Sequence, residues 1–181
     1  MIGYVVVPGI DGSDAAHWQS RWEQGWGERA VRIEPASWSV PELDDWVAAV
    51  ERAADLLAPR VDGIVLVAHS LGCWAVAEWL AATAHRPLGA LLVAPPDPSG
   101  AAFRSVVTAG FLEVTARPLP VATVLVASSD DPYCGVEAAR ELGRQWGSTV
   151  EVIAAGGHLN SASGLGDWPR GKESLARLTV R

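Results

Sequence analysis

Residues 61–79, VDGIVLVAHSLGCWAVAEW, change character within a few positions, and that change constrains the whole chain. Gly63 and the apolar run 64–67 are too short and too β-branched for a helix, so they predict a buried parallel strand. From Leu71 onward good helix formers take over, with Trp74, Ala75, Glu78 and Trp79 at three- and four-residue spacings. Strand must therefore give way to helix across His69-Ser70-Leu71, which puts a serine at the tip of a sharp turn. A serine held there has strained backbone geometry, a hydroxyl clear of the sheet, and following amides turned toward bound ligand. Side chains two residues either side of it would collide where strand and helix cross, hence the usual pattern Gly-x-Ser-x-Gly. Here the turn reads Ala68-His69-Ser70-Leu71-Gly72, with the smallest side chain in place of the first glycine. The competing reading is a serine that only caps a helix after a Rossmann-like strand.

A chain of 181 residues without a composition break suits one domain, 1–181, large enough to bury a substantial core. Its 49% hydrophobic content, rich in Ala, Val and Leu, fits strands covered by helices on both faces. The net charge of −7, from 21 acidic and 14 basic residues, opposes a phosphate-backbone footprint and predicts no nucleic-acid partner. No apolar run approaches the roughly 20 residues of a membrane span, and the start MIGYVVVPGI lacks a basic region and a cleavage site. A cytoplasmic protein without a membrane partner is the expectation. Cys73 and Cys134 stand far apart without metal-like spacing, so free, partly buried thiols and no metal are expected. Nine tryptophans are an unusual load; core packing is the simpler reading, and a cleft wall or a dimer interface the alternative.

Along the chain, short apolar strands are predicted at 4–7, 31–34, 64–67, 90–93, 121–127 and 149–153, alternating with helical stretches. Ser13 or Asp14 can cap a helix whose Trp18, Trp22 and Trp26 form one aromatic stripe, with His17 in its first turn. His17 then either borders a substrate cleft or is a solvent-exposed helix residue. Pro41 opens a helix to about Leu57, and 136–146 forms another. Residues 99–120 are poorly periodic and predict a short cap over a pocket, while the prolines at 95, 96 and 98 end a strand. The polar clusters fall at the carboxyl ends of strands, as expected of a mostly parallel α/β sheet of about six strands.

A serine hydroxyl is a poor nucleophile until an imidazole takes its proton, and that imidazole needs a carboxylate to fix its tautomer. Of four histidines, His69 adjoins Ser70, where its ring cannot easily turn back to the neighbouring hydroxyl, although it can border the cleft. His85 ends the helix after the turn, remote from the strand ends, and His17 lies upstream. His158 stands in the glycine-flanked loop Gly156-Gly157-His158-Leu159-Asn160 after the last strand. Between serine and histidine lies Ser129-Asp130-Asp131-Pro132, whose acids can supply the carboxylate or cap the next helix. An acid directly followed by proline is common at this turn in α/β-hydrolases, and similarity to them favours Asp131. The order Ser70, Asp131, His158 is that of α/β-hydrolases. Pro8-Gly9-Ile10 follows the first strand, so the amides of Ile10 and Leu71 are the expected oxyanion donors. A phosphate-cradling loop is the competing reading of 9–12, but neither the dinucleotide pattern nor a P-loop lysine is present.

Taken together, these blocks resemble the small α/β-hydrolase-fold serine hydrolases related to retinoblastoma-binding protein 9, the YdeN-like family. The likeness rests on Pro8-Gly9 with Gly12-Ser13 and His17-Trp18-Gln19, on the turn at 68–72, on 129–134, and on 157–160 with 163–169. It implies a compact hydrolase without a large lid domain and maps nucleophile, acid and base onto Ser70, Asp131 and His158. Activity on small esters or amides without a cofactor follows as an expectation, whereas Asp130 is a departure from the variable residue, often Asn, expected there. Residues 164–169 belong to the family pattern and are expected to form a turn supporting the His158 loop. The alternative function is a non-catalytic module that keeps the fold and holds a protein partner on a tryptophan-rich surface.

Overall fold

Alternation within the apolar runs decides the architecture. In the computed structural model, which describes residues 1–106 and 109–179, six strands form one parallel sheet. They are β1 (Ile2–Val7), β2 (Ala30–Arg32), β3 (Gly63–His69), β4 (Gly89–Val93), β5 (Ala122–Ser128) and β6 (Thr149–Ile153), in the spatial order β2-β1-β3-β4-β5-β6. Ile64, Leu66 and Ala68 point into one apolar layer while Val65 and Val67 point into the other, and β4 and β5 repeat this pattern. Both faces are buried, so the strands read as unbroken apolar runs.

One layer is covered by α2 (Leu43–Leu57), α3 (Gly72–Ala82) and α6 (Val136–Trp146), the other by α1 (Trp18–Trp26) and α7 (Pro169–Ala176). Two short helices, α4 (Ala101–Val106) and α5 (Ala109–Leu112), occupy the stretch expected to cap a pocket. Only its first half does so. Phe103 lines the cleft, whereas Phe111 is fully buried against Trp46 in the core. Residues 107 and 108 of that stretch lie outside the described residues.

Several local expectations shift. β2 is short and begins at Ala30, although the Ile33 amide still donates to Val6 O at 3.0 Å before Pro35 removes the next donor. Helix α1 is capped by His17 itself, one turn later than expected. Asp14 instead caps the preceding turn, accepting from the amides of Ala16 and His17. The tryptophans resolve in favour of the core: seven are buried, Trp26 and Trp38 are half-buried, and none is exposed. Trp18 and Trp22 are 1% exposed, so the aromatic stripe faces the sheet, and an exposed tryptophan surface for a partner is corrected by the packing.

Chain order makes β1 and β3 neighbours after β2 has been laid on the far side. This is the switch point, where loops leaving two adjacent strands diverge and open a crevice at their carboxyl ends. Gly9-Ile10 leaves β1 there and Ser70 leaves β3. Gln19, completely buried on α1, ties the two strand ends together by donating to Val7 O at 3.2 Å and Val67 O at 3.0 Å.

Candidate active site

The turn after β3 has the strained geometry its residues predict. Ser70 has φ of +53°, a left-handed conformation that L-residues seldom adopt. Glycine is required on either side of this crossing. A Cβ on Gly72 would lie 2.4 Å from Pro8 O, and one on Gly9 would lie 2.8 Å from Ser70 Cβ. The loop after β1 therefore runs directly over the serine. Among the described residues, the Ile10 and Leu71 amides beside it have no protein acceptor.

Ser70 Oγ lies 2.8 Å from His158 Nε2, and His158 Nδ1 lies 3.0 Å from both carboxylate oxygens of Asp131. With Nδ1–H donating to the carboxylate, Nε2 carries the lone pair that accepts from the hydroxyl. Asp131 also accepts from the Tyr133 amide at 2.9 Å and is nearly withdrawn from solvent. Of the two adjacent acids, Asp131 is the one that meets the His158 ring. Asp130 is a brace: its Oδ1 accepts from Ser128 Oγ at 2.7 Å and from the Gly157 amide at 2.8 Å. These bonds, led by the one from Ser128, hold its carboxyl below the usual range. Neither acid caps α6, whose N-cap is Gly135.

Nothing regular holds the loop that carries His158, so side chains from other elements fix it. Ser129 Oγ and Ser128 Oγ accept from the Ala155 and Gly156 amides, both at 2.9 Å. His69 Nε2–H donates to His158 O at 2.9 Å, and the Trp18 indole N–H donates to Leu159 O at 2.8 Å. Ser161 Oγ donates to Asp14 at 2.8 Å, joining this loop to the one after β1. The turn at 164–169 contributes through Trp168, whose ring packs 4.9 Å from that of Trp18.

His17 is neither solvent-exposed nor a simple first-turn residue. It is 3% exposed, borders the cleft, and accepts from the Gln19 amide through Nδ1 at 3.2 Å. Burial pushes its imidazole down to about 4, and burial likewise holds His69 well below the ordinary histidine range. Both rings are neutral at physiological pH. His85 lies elsewhere, 3.0 Å from Asp55, beyond the end of α3. The two cysteines are free and buried; burial pushes the Cys134 thiol up to about 12 and Cys73 higher than its ordinary value, which leaves neither as a thiolate nucleophile.

The cleft above Ser70 encloses about 550 Å³. Ile10, Leu71, Pro96 and Phe103 give it apolar walls, and Tyr133 stands edge-on to the His158 ring at 4.5 Å. Tyr133 is a residue that sequence reasoning missed as a cleft wall; its place two residues after Asp131 is the signal that was available.

Residues 4–177 match the model of the serine hydrolase family. The chain belongs to that family. This serine hydrolase is similar to a protein described as a YdeN-like hydrolase from Pectobacterium atrosepticum, with 30% identity over 99% of this chain and 91% of that one, at a TM-score of 0.83. The ydeN gene product of B. subtilis superposes with a TM-score of 0.79 at 20% identity, covering 99% of both chains. Est1E from Butyrivibrio proteoclasticus, solved with ferulic acid bound, shares the fold at 13% identity and a TM-score of 0.68, over 97% of this chain and 90% of its own. No curated protein matches the hydrolase. Its compact fold, a six-stranded parallel sheet with helices on both faces, is that of these hydrolases.

Proposed function

We propose that this serine hydrolase cleaves small carboxylic esters or amides through an acyl-enzyme on Ser70. The observation that supports this most directly is the continuous line from the Asp131 carboxylate through the His158 imidazole to the Ser70 hydroxyl, at 3.0 and 2.8 Å, on the floor of the cleft. In the first half-reaction His158 Nε2 takes the Ser70 proton as Oγ adds to the carbonyl carbon. The same proton then passes to the leaving alkoxide or amine as the carbon–heteroatom bond breaks. In the second half-reaction His158 removes a proton from water as its oxygen adds to the acyl carbon, and the acyl C–Oγ bond then breaks, releasing the acid while the proton returns to Ser70 Oγ.

Asp131 holds the Nδ1–H tautomer and stabilises the imidazolium formed in each half. The Ile10 and Leu71 amides receive the carbonyl oxygen as it becomes an anion, and one such donor typically contributes about 10²- to 10³-fold to kcat. A cleft of about 550 Å³ suits a small molecule. Apolar walls, with Asp11 and Asp14 also on the lining and no lysine or arginine among the described residues there, favour acyl groups without negative charge as substrates.

Fluorophosphonate labelling with intact mass and peptide mapping tests the proposal, comparing wild type with Ser70→Ala and His158→Ala. One adduct on Ser70, absent from both variants, is the expected result. Folded wild-type protein that takes no adduct, or labelling that persists without His158, would refute it.

A further inference from the structure

Loops without regular structure hold a catalytic group well only where each carbonyl and amide has a fixed partner. In the loop at 155–161 the amides of 155, 156 and 157 are anchored to the last residue of β5 and to the segment that follows it, which also carries Asp131. These bonds fix base to acid. They do not fix base to nucleophile, because Ser70 leaves a different strand, β3, two positions away in the sheet.

That connection is made by the residue beside the nucleophile. His69 is the last residue of β3 and 4% exposed, and its Nε2–H donates to the main-chain oxygen of His158 at 2.9 Å. Its ring lies 5.0 Å from the His158 ring on one side and 4.8 Å from the His17 ring on the other. His17 is itself fixed by the Gln19 amide, and Gln19 by the ends of β1 and β3. Ser70 Oγ and the anchor for the base's backbone thus come from consecutive residues of one strained turn.

We infer that His69 is a positioning residue, which sets the Ser70–His158 distance by holding the His158 carbonyl. The inference rests on the proposed role of His158 as base. A neutral donor suits this place, because His158 becomes a cation in each half-reaction and a charged neighbour 5.0 Å away would oppose that. An imidazole kept uncharged by burial donates without that penalty, whereas lysine or arginine would not.

The test compares His69→Leu, which removes the donor, with His69→Gln, whose amide N–H reaches about as far as imidazole Nε2. Initial rates on p-nitrophenyl butyrate and the rate of fluorophosphonate labelling are measured for both variants and wild type, with near-ultraviolet circular dichroism to establish folding. Misplacing a reacting group by about 1 Å reduces a rate by up to about 10²-fold. His69→Leu should therefore lose about 10- to 100-fold in kcat and in labelling rate with KM unchanged, the signature of an interaction that matters in the transition state. His69→Gln should recover most of both. A folded His69→Leu with wild-type kcat, or a folded His69→Gln as slow as His69→Leu, would overturn the inference while leaving Ser70 and His158 in their proposed roles.

Should His69→Leu fail to fold, wild-type nitrogen NMR decides. A neutral His69 ring with its proton on Nε2 is expected at pH 7; a neutral ring with its proton on Nδ1 would overturn the proposal. A wild type that takes no fluorophosphonate adduct at all would remove the base role of His158, and with it the premise.

Discussion

Replacing Trp18 by phenylalanine separates what the aromatic stripe does for stability from what it does for the site. Trp18 is 1% exposed and its indole N–H is the partner of Leu159 O, the carbonyl next to the proposed base, at 2.8 Å. Phenylalanine keeps most of the ring packing against Trp22 and Trp168 but leaves that buried carbonyl without a donor, a loss of about 1–3 kcal/mol. The control is Trp146→Phe. Trp146 is equally buried, packs against Trp74, and its indole nitrogen has no partner among the described residues, so the same ring truncation breaks no hydrogen bond. For a chain of this size each kcal/mol moves Tm by roughly 2–4 °C, so Trp18→Phe should melt roughly 2–12 °C below Trp146→Phe. Leu159 sits at φ +51°, a conformation that persists only while its surroundings enforce it, so freeing its carbonyl should also loosen His158. A fall of about tenfold in kcat is expected for Trp18→Phe and none for Trp146→Phe. Scanning calorimetry and p-nitrophenyl butyrate turnover measure the two effects. Identical Tm and identical kcat for the two variants would refute the reasoning that the indole bond holds the loop.

The two adjacent acids should behave very differently. Asp131→Asn presents the wrong partner to His158 Nδ1 and should reduce kcat by about 10⁴-fold, whereas Asp130→Asn keeps an oxygen that can accept from Ser128 and Gly157 and should change kcat only severalfold; equal losses in steady-state assays would contradict the assignment. Stability should fall as the solution is acidified below pH 6.5. The unfolded chain binds a proton at His17 near 6.5 and the folded chain only near 4, so the unfolded state binds more protons throughout that window and about 3 kcal/mol is lost across it. His69 acts in the same direction, and His17→Asn should flatten the dependence in urea titrations; a wild-type midpoint that does not move between pH 7 and 5 would count against it.

Local chemistry made the serine turn legible, because strand formers give way to helix formers within three residues, although the backbone that a Cβ on Gly72 would strike, Val7 O and Pro8 O, comes from the neighbouring strand β1 and its loop. The strands were legible for a similar reason: burial on both faces leaves unbroken apolar runs. Other features were not. Asp130 and Asp131 are chemically alike and adjacent, and their separation into brace and partner of His158 depends on which way each side chain leaves a turn, which is set by Ser128 and Gly157. His17 looked like a first-turn helix residue because Ser13 and Asp14 are good caps, yet Asp14 is occupied by the preceding turn and by Ser161, 147 residues away.

By itself the sequence determined the parallel α/β architecture, the strained serine turn, and the chain order of serine, acid and histidine, since each follows from residue volume, periodicity or backbone restriction over a few neighbouring positions. Only the tertiary structure decided which acid meets His158, that the tryptophans are packed rather than displayed, and that His69 reaches the backbone of a residue 89 positions later. Those outcomes depend on directions of side chains brought together by the β1–β3 switch point, and no local pattern encodes a direction between segments that meet only when the sheet is complete.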